Sequence, residues 1–73
     1  MYVIQDVKGD FVQKMFDDRD DAFETAAALL RVSTNEHDTV EVFELQDEPS
    51  YQLTKRASVI VRDDVGNLVD ALD

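Results

Sequence analysis

Residues 18–32, DRDDAFETAAALLRV, form the longest helical pattern in the chain and decide its fold class. Asp18 is the predicted N-cap, and Asp20 and Asp21 fall in the first turn, where the helix dipole favours negative charge. The acidic run at 17–21 therefore has a structural reason to exist, and the alternative is that it also serves as a contact surface. Apolar residues recur at spacings of three and four, which places one side of the helix in a core: Ala22, Phe23, Ala26, Ala27, Leu29 and Leu30.

The fifteen residues before the helix predict a β-hairpin. Residues 2–16, YVIQDVKGDFVQKMF, are typical of two short strands around a turn at Gly9, since glycine adopts positive φ without penalty. A two-residue loop of Gly9 and Asp10 pairs Val7 with Val12, Gln5 with Lys14 and Val3 with Phe16. The alternative loop, Lys8–Gly9, sets Val3 against Lys14, so we favour the first register.

A third strand is predicted over residues 38–46, DTVEVFELQ, which are rich in β-branched and aromatic residues. Its apolar side switches midway, from Val40 and Val42 to Phe43 and Leu45. The switch indicates either a β-bulge or a strand that is covered on both faces.

The fourth strand, over residues 51–62, has the clearest alternation of apolar and polar residues. Glu41 or Glu44 of the third strand is within cross-strand reach of Lys55 or Arg56, because the two strands are predicted hairpin neighbours. The predicted apolar face comprises Tyr51, Leu53, Ala57, Val59 and Val61.

The tail, DDVGNLVDALD at 63–73, predicts a short amphipathic helix capped by Asp63 or Asp64. The expected architecture is α+β in the order ββαββα, a single domain over residues 1–73 with a four-stranded antiparallel sheet and one main helix on one face. A core this small gains stability from association, so we expect a homodimer through the apolar stripe of the tail helix: Val65, Leu68, Val69 and Leu72.

The chain offers little for catalysis. It has no cysteine, and its one imidazole, His37, lies in a polar turn, where a solvated loop residue is the common case. We expect no metal or cofactor site, because no calcium-loop spacing occurs and two isolated glycines do not form a phosphate cradle. An enzyme is therefore improbable. We expect a cytoplasmic protein, since no apolar run approaches the ~20 residues that span a bilayer and the N-terminus lacks a signal-peptide layout.

Charge is the outlying property, at 17 acidic against 7 basic residues and a net charge of −10. This sign repels nucleic acid and anionic lipid, and it favours a basic protein partner. Residues 36–48, EHDTVEVFELQDE, carry six acids and no lysine or arginine. The predicted partner-binding residues are these acids together with the start of the helix: Glu36, Glu41, Glu44, Asp47, Glu48, Asp20 and Asp21.

In size and acidity the chain resembles small phage-encoded inhibitors that mimic DNA, such as some anti-restriction and anti-CRISPR proteins. This resemblance implies a non-enzymatic interaction module that occupies the nucleic-acid site of a basic protein. The alternative is a small homo-oligomeric structural or accessory domain whose acidity serves solubility or adaptation to high salt.

Overall fold

The computed structural model describes residues 1–46 and 52–72, which form one antiparallel sheet with a helix on one face. The elements are β1 (Tyr2–Gln5), β2 (Phe11–Phe16), α1 (Arg19–Arg31), β3 (Val40–Gln46), β4 (Gln52–Arg62) and β5 (Leu68–Asp70). The strand order is β2-β1-β3-β4-β5, so β3 is the central strand. The α+β class is confirmed, but the sheet has five strands where four were predicted.

Helix α1 begins and ends as its sequence predicts. Asp18 is the N-cap, with an extended backbone and a side chain that accepts from the Asp20 N–H at 2.8 Å. Asp20 and Asp21 occupy the first turn, and Val32 is the C-cap. Most of the acidic run at 17–21 is thus accounted for by helix capping and the helix dipole.

The hydrophobic core lies between α1 and one face of the sheet. The helix contributes small side chains and one leucine, and the strands contribute β-branched residues and one phenylalanine. The buried cluster consists of Ile4, Phe16, Ala22, Ala26, Leu30, Val40, Val42 and Ile60.

The β1–β2 turn closes over three residues instead of two. The Asp6 N–H donates to the Asp10 carbonyl at 2.8 Å, and the Gly9 N–H donates to the Asp6 carbonyl at 3.0 Å. The Asp6 carboxylate accepts from the N–H groups of Lys8 and Asp10. Gly9 has a φ of 86°, which closes the turn in the left-handed region that glycine tolerates.

This turn changes the predicted register of the first hairpin. Val3 lies opposite Met15, and Gln5 lies opposite Phe11, with an irregularity between the two pairs. The predicted pairing of Val3 with Phe16 is therefore wrong. A side-chain acceptor at Asp6 favoured a longer loop than a count of glycine positions alone suggests.

The same turn occurs a second time, at residues 63–67. The Asp63 N–H donates to the Asn67 carbonyl at 2.9 Å, and the Asp63 carboxylate accepts from the N–H groups of Val65 and Asn67. Gly66 has a φ of 87°. The sequences DVKGD and DDVGN share the aspartate, the glycine and a final Asp or Asn, and they fold into one motif.

The second turn replaces the predicted C-terminal helix. A residue in the left-handed region cannot continue an α-helix, so Gly66 sends the chain back along the sheet. Residues Leu68–Asp70 form β5 and pair with Ile60–Arg62 of β4. The helical spacing of the tail was a coincidence of a few apolar residues around a turn.

The apolar side of β3 changes within a regular alternation, and the irregularities of the β3–β4 pair lie in β4. Val42 lies opposite Ser58 and Phe43 lies opposite Arg56, which leaves Ala57 as an extra residue of β4. A second shift follows at Glu44 and Leu45. The extra residues thus belong to β4, and β3 itself alternates regularly. Val40 and Val42 lie on the helix side, whereas Phe43 and Leu45 lie on the opposite face.

The bulges also change which face of β4 meets the helix. Ser58 and Ile60 are fully buried under α1, whereas Val59 and Val61 lie on the opposite face and are half-buried. The predicted alternation thus holds over this stretch, but the face of Val59 and Val61 points away from the helix. Ser58 and Ile60 meet the helix because they pair with the buried Val42 and Val40. Tyr51, which was assigned to the face of Val59 and Val61, lies outside the described residues.

The substitution Gly66→Ala distinguishes a turn from a helix at this position, because it changes the free energy of unfolding in opposite directions in the two cases. In the observed turn, alanine in the left-handed region should lower the free energy of unfolding by about 1–2 kcal/mol. In a helix, the same change would raise it by about 1 kcal/mol. Chemical denaturation measures the difference, and Gly66→Asn is the control, since asparagine tolerates this backbone and should cost less. A stabilised Gly66→Ala variant would contradict the hairpin.

Candidate functional site

One face of the sheet carries α1, and no described element packs on the other. We call this second surface the open face. Phe11 is 46% exposed and Met15 is 45% exposed, both on edge strand β2, and Val69 on the opposite edge is 38% exposed. Strand pairing places the following apolar side chains on it: Val3, Phe11, Met15, Phe43, Val59, Val61 and Val69.

An aromatic pair joins the edge of the open face to its centre. The rings of Phe11 and Phe43 meet edge to face, with centroids 5.9 Å apart and an interplanar angle of 61°. Their strands, β2 and β3, are separated by β1, so the two rings bridge over an intervening strand. The contact fixes the Phe11 ring in place while leaving nearly half of it in solvent.

Charge on the open face is balanced. The Arg56 guanidinium lies 6.0 Å from the Phe43 ring centroid and 3.5 Å from the Glu41 carboxylate. Across the strand residues whose side chains the structure describes, Glu41 and Arg56 are the charged groups that pairing assigns to this face. The open face is thus close to neutral on a protein with a net charge of −10.

The predicted acidic binding residues do not form one row. Glu41 lies on the open face, whereas Glu44 lies on the helix side, where its carboxylate is 3.8 Å from Lys55. Both ion pairs between β3 and β4 match the predicted cross-strand reach. Glu36 is in the loop after α1, with its carboxylate 3.5 Å from His37. Asp47 and Glu48 are outside the described residues.

Asp20 and Asp21 lie in the first turn of α1, at the other end from Glu36, and Asp21 belongs to a larger group of acids. A shallow depression at the start of the helix is lined by four carboxylates, together with Lys14, Met15, Phe16 and Thr25. The four, which we call the helix-start acids, are Asp17, Asp18, Asp21 and Glu24.

The four residues predicted to form a dimer stripe lie in different surroundings. Val65 is in the β4–β5 turn and is 79% exposed, while Leu68 packs against the core. Leu72 lines a depression on the helix side with Tyr2 and Arg19. Val69 alone of the four lies on the open face, so the structure does not bring them together as one stripe.

An arginine ties the start of α1 to the far edge of the sheet. The Arg19 guanidinium donates to the Ala57 carbonyl at 3.1 Å, to the Ser58 hydroxyl at 3.0 Å and to the Asp70 carboxylate at 3.3 Å. The bulge at Ala57 turns its carbonyl toward the helix. The one basic residue of the acidic run at 17–21 therefore has a structural role.

Asp70 is the second half of this contact. Its carboxylate also accepts from the N–H groups of Val59 and Leu72, at 3.1 and 3.0 Å. Burial alone would raise the pKa of Asp70. The hydrogen bonds from these two N–H groups and from Ser58, together with the Arg19 charge, outweigh burial and hold the pKa below its ordinary value of 3.8.

A second arginine holds the other end of the helix. The Arg62 guanidinium, on β4, donates to the carbonyls of Leu30 at 2.5 Å, Ser33 at 2.7 Å and Asn35 at 2.8 Å. The last carbonyls of a helix lack partners within it, and a cation there also complements the helix dipole. Helix α1 is thus fixed at both ends by arginines.

The open face was not predicted, because the strand patterns indicate which side chains share a face but not which face the helix covers. Two signals pointed to it. Phe11 and Met15 fall on the same side of β2. Phe43 alternates with the buried Val42 along β3 and therefore lies on the face away from the core. The arginine anchors had no signal within their own segments, because Arg19 and its partners are 38–51 residues apart.

Within residues 1–46 and 52–72, no three carboxylate or imidazole side chains are grouped so as to hold a metal ion. In the same ranges, no helix has the length and apolar character needed to cross a membrane. The chain matches no protein-family model, no curated protein and no solved structure. Its function is therefore argued from its surfaces.

Replacing Asp70 by Asn tests the anchor through its pH dependence. A carboxylate whose pKa is lowered in the folded state stabilises the fold above its unfolded pKa, and that contribution disappears as pH falls through the folded pKa. Asp70→Asn should therefore lower the melting temperature most above about pH 5 and progressively less below the ordinary value of 3.8.

Asp64→Asn is the matched control, since it removes the same charge from an exposed position in the β4–β5 turn. Thermal melts of wild type and both variants between about pH 2 and 7 give the comparison. A melting-temperature difference between wild type and Asp70→Asn that is independent of pH would show that the carboxylate charge does not contribute.

Proposed function

We propose that this chain is a non-enzymatic protein-interaction module that binds its partner through the open face. The observation that supports this proposal is the position of Phe11 and Met15, which are half-exposed on one sheet face, where the Phe11 ring also packs against Phe43. Covering the exposed half of each side chain contributes about 1 kcal/mol. Contiguous apolar surface with a polar rim is typical of protein-binding sites.

The composition of the open face supports a protein partner. Aromatic residues, methionine and arginine are enriched at protein interfaces, and Phe11, Phe43, Met15 and Arg56 supply all three classes. The acids at the helix start and in the loops keep the free chain soluble. The cytoplasm is the compartment we propose, because the chain has no cysteine and hence no disulfides.

A second candidate is an acidic contact with a basic partner, and the helix-start acids favour it. Four carboxylates line one shallow depression there, more than capping of α1 requires. In its narrower form this function is mimicry of nucleic acid. The longest extent of the molecule is 42 Å, over which each strand of duplex DNA carries about 12 charges, close to the net charge of −10.

Site-specific photo-cross-linking distinguishes the two surfaces. Benzoylphenylalanine is introduced at Phe11 on the open face, at Asp21 among the helix-start acids, or at Ala28, an exposed position of α1 that serves as the control. In lysate of the native host, position 11 should yield cross-linked protein adducts, because its side chain would lie inside the interface. Position 28 should yield none.

Salt provides an independent readout, because contacts between unlike charges are screened over about 10 Å at 0.1 M and about 3 Å at 1 M. Adducts from position 11 should persist at high salt, since apolar burial is not screened. The opposite result would be adducts from position 21 that disappear at high salt, with none from position 11. It would support the acidic contact and refute the open face as the binding surface.

A further inference from the structure

We propose that the occupant of the open face is the open face of a second copy of this chain, in a two-fold symmetric dimer with the helices outside. The layers of the assembly would be helix, sheet, sheet and helix, with the two sheets about 10 Å apart. This inference deepens the proposed function and rests on it, since it names the partner of the same surface.

The area of the face suits this partner. The two larger extents of the molecule, 42 and 22 Å, give an upper limit of roughly 900 Å² for the area of the open face. A standard stable interface buries about 800 Å² on each partner. A second copy offers a surface of the same size, so that most of the face can be covered in one contact.

The charge of the face also selects a second copy. A strongly basic partner would be drawn to the acids at the ends of α1 and in the loops, and not to a face with balanced charge. Two copies carry −10 each and repel one another wherever acidic surfaces meet. Apposition through the open faces keeps those acidic surfaces turned outward.

Glu41 and Arg56 are complementary across a two-fold axis as well as within one chain. Arg56 reaches Glu41 through one guanidinium nitrogen at 3.5 Å, and its side chain is 50% exposed, so other N–H donors remain available. In a two-fold symmetric contact, any pair of residues that meet across the interface meets twice, once in each direction. Each Arg56 can therefore also contact the Glu41 of the second copy.

The topology places these groups at the middle of the contact. Because β3 is the central strand of five, a two-fold axis through the centre of the face and along the strand direction lays β3 over β3. The same axis sets β2 of one copy over β5 of the other. The exposed ring of Phe11 then lies over the end of β5 near the shorter Val69, so a large residue meets a small one.

Analytical ultracentrifugation of the full chain tests the dimer. The wild type at micromolar concentration should sediment at twice its mass of 8.3 kDa. Met15→Asp should weaken association by about tenfold or more, because it places a carboxylate in an apolar contact. Circular dichroism should show that its fold is retained, since Met15 is half-exposed in the monomer.

Val65→Asp is the matched control. It introduces the same charge in place of an exposed apolar residue, but in the β4–β5 turn and not on the open face. It should leave the dimer intact. Glu41→Arg should weaken the dimer and the double variant Glu41→Arg with Arg56→Glu should restore it, because the exchange returns complementary charges to both copies.

Raising salt from about 0.1 to 1 M should tighten the dimer, since it screens repulsion between two acidic chains. A wild type that stays monomeric at all salt concentrations, or a dimer that Val65→Asp dissociates and Met15→Asp does not, would overturn the proposal. Adducts of another protein from position 11, with a monomeric wild type, would refute the dimer and leave the interaction module standing. A monomeric wild type that also gives no adducts from position 11 would refute both the dimer and the open face as a binding surface.

Discussion

The constraint on which the rest of the structure depends is that one helix has to cover a sheet of five strands. Helix α1 has 13 residues and is about 20 Å long, and side chains widen it to about 10 Å. Five strands at about 4.8 Å spacing form a sheet of similar width, and it has two faces. The helix can seal one of them, so the position and angle of α1 decide which residues are core and which are surface.

The arginine anchors follow from this constraint. The fully buried side chains of α1 are alanines and one leucine, which do little to fix its angle on the sheet, and Arg19 and Arg62 add a restraint at its two ends. Both guanidinium groups donate to backbone carbonyls, Arg19 to that of Ala57 at the bulge and Arg62 to those in the last turn of the helix and the loop after it. The bulge at Ala57 is therefore part of the helix attachment as well as a break in the strand.

The sequence contained most of the elements but not their connections at the edge of the sheet. The helix and the first four strands were predictable because their patterns extend over several residues and agree with their caps. The tail was not, since four apolar residues fit a helical spacing as well as a turn and a strand. Repetition of Asp-x-x-Gly-Asp/Asn at 6–10 and 63–67 was the overlooked signal, because the first copy already lay in a predicted hairpin.

For the candidate site, the sequence indicated the amount of acid but not its placement. Alternation along β3 puts Glu41 and Glu44 on opposite faces, and the bulges of β4 set Arg56 beside Glu41 and Lys55 beside Glu44. Bulges cannot be counted from a single strand, because the extra residue is defined only against its partner. The open face depends on the same register, since the pairing of Val3 with both Met15 and Phe43 gathers its apolar side chains.

Acidity and the open face belong to one physical argument. Seventeen acids outnumber seven basic residues, and four of the bases join two elements: Arg19 and Arg62 at the helix, Arg56 and Lys55 between strands. The surplus acids then occupy the turns and helix ends, where capping gives them hydrogen bonds. What remains is a sheet face with one acid and one base, and this is the part of the described surface where another chain can approach without meeting net negative charge.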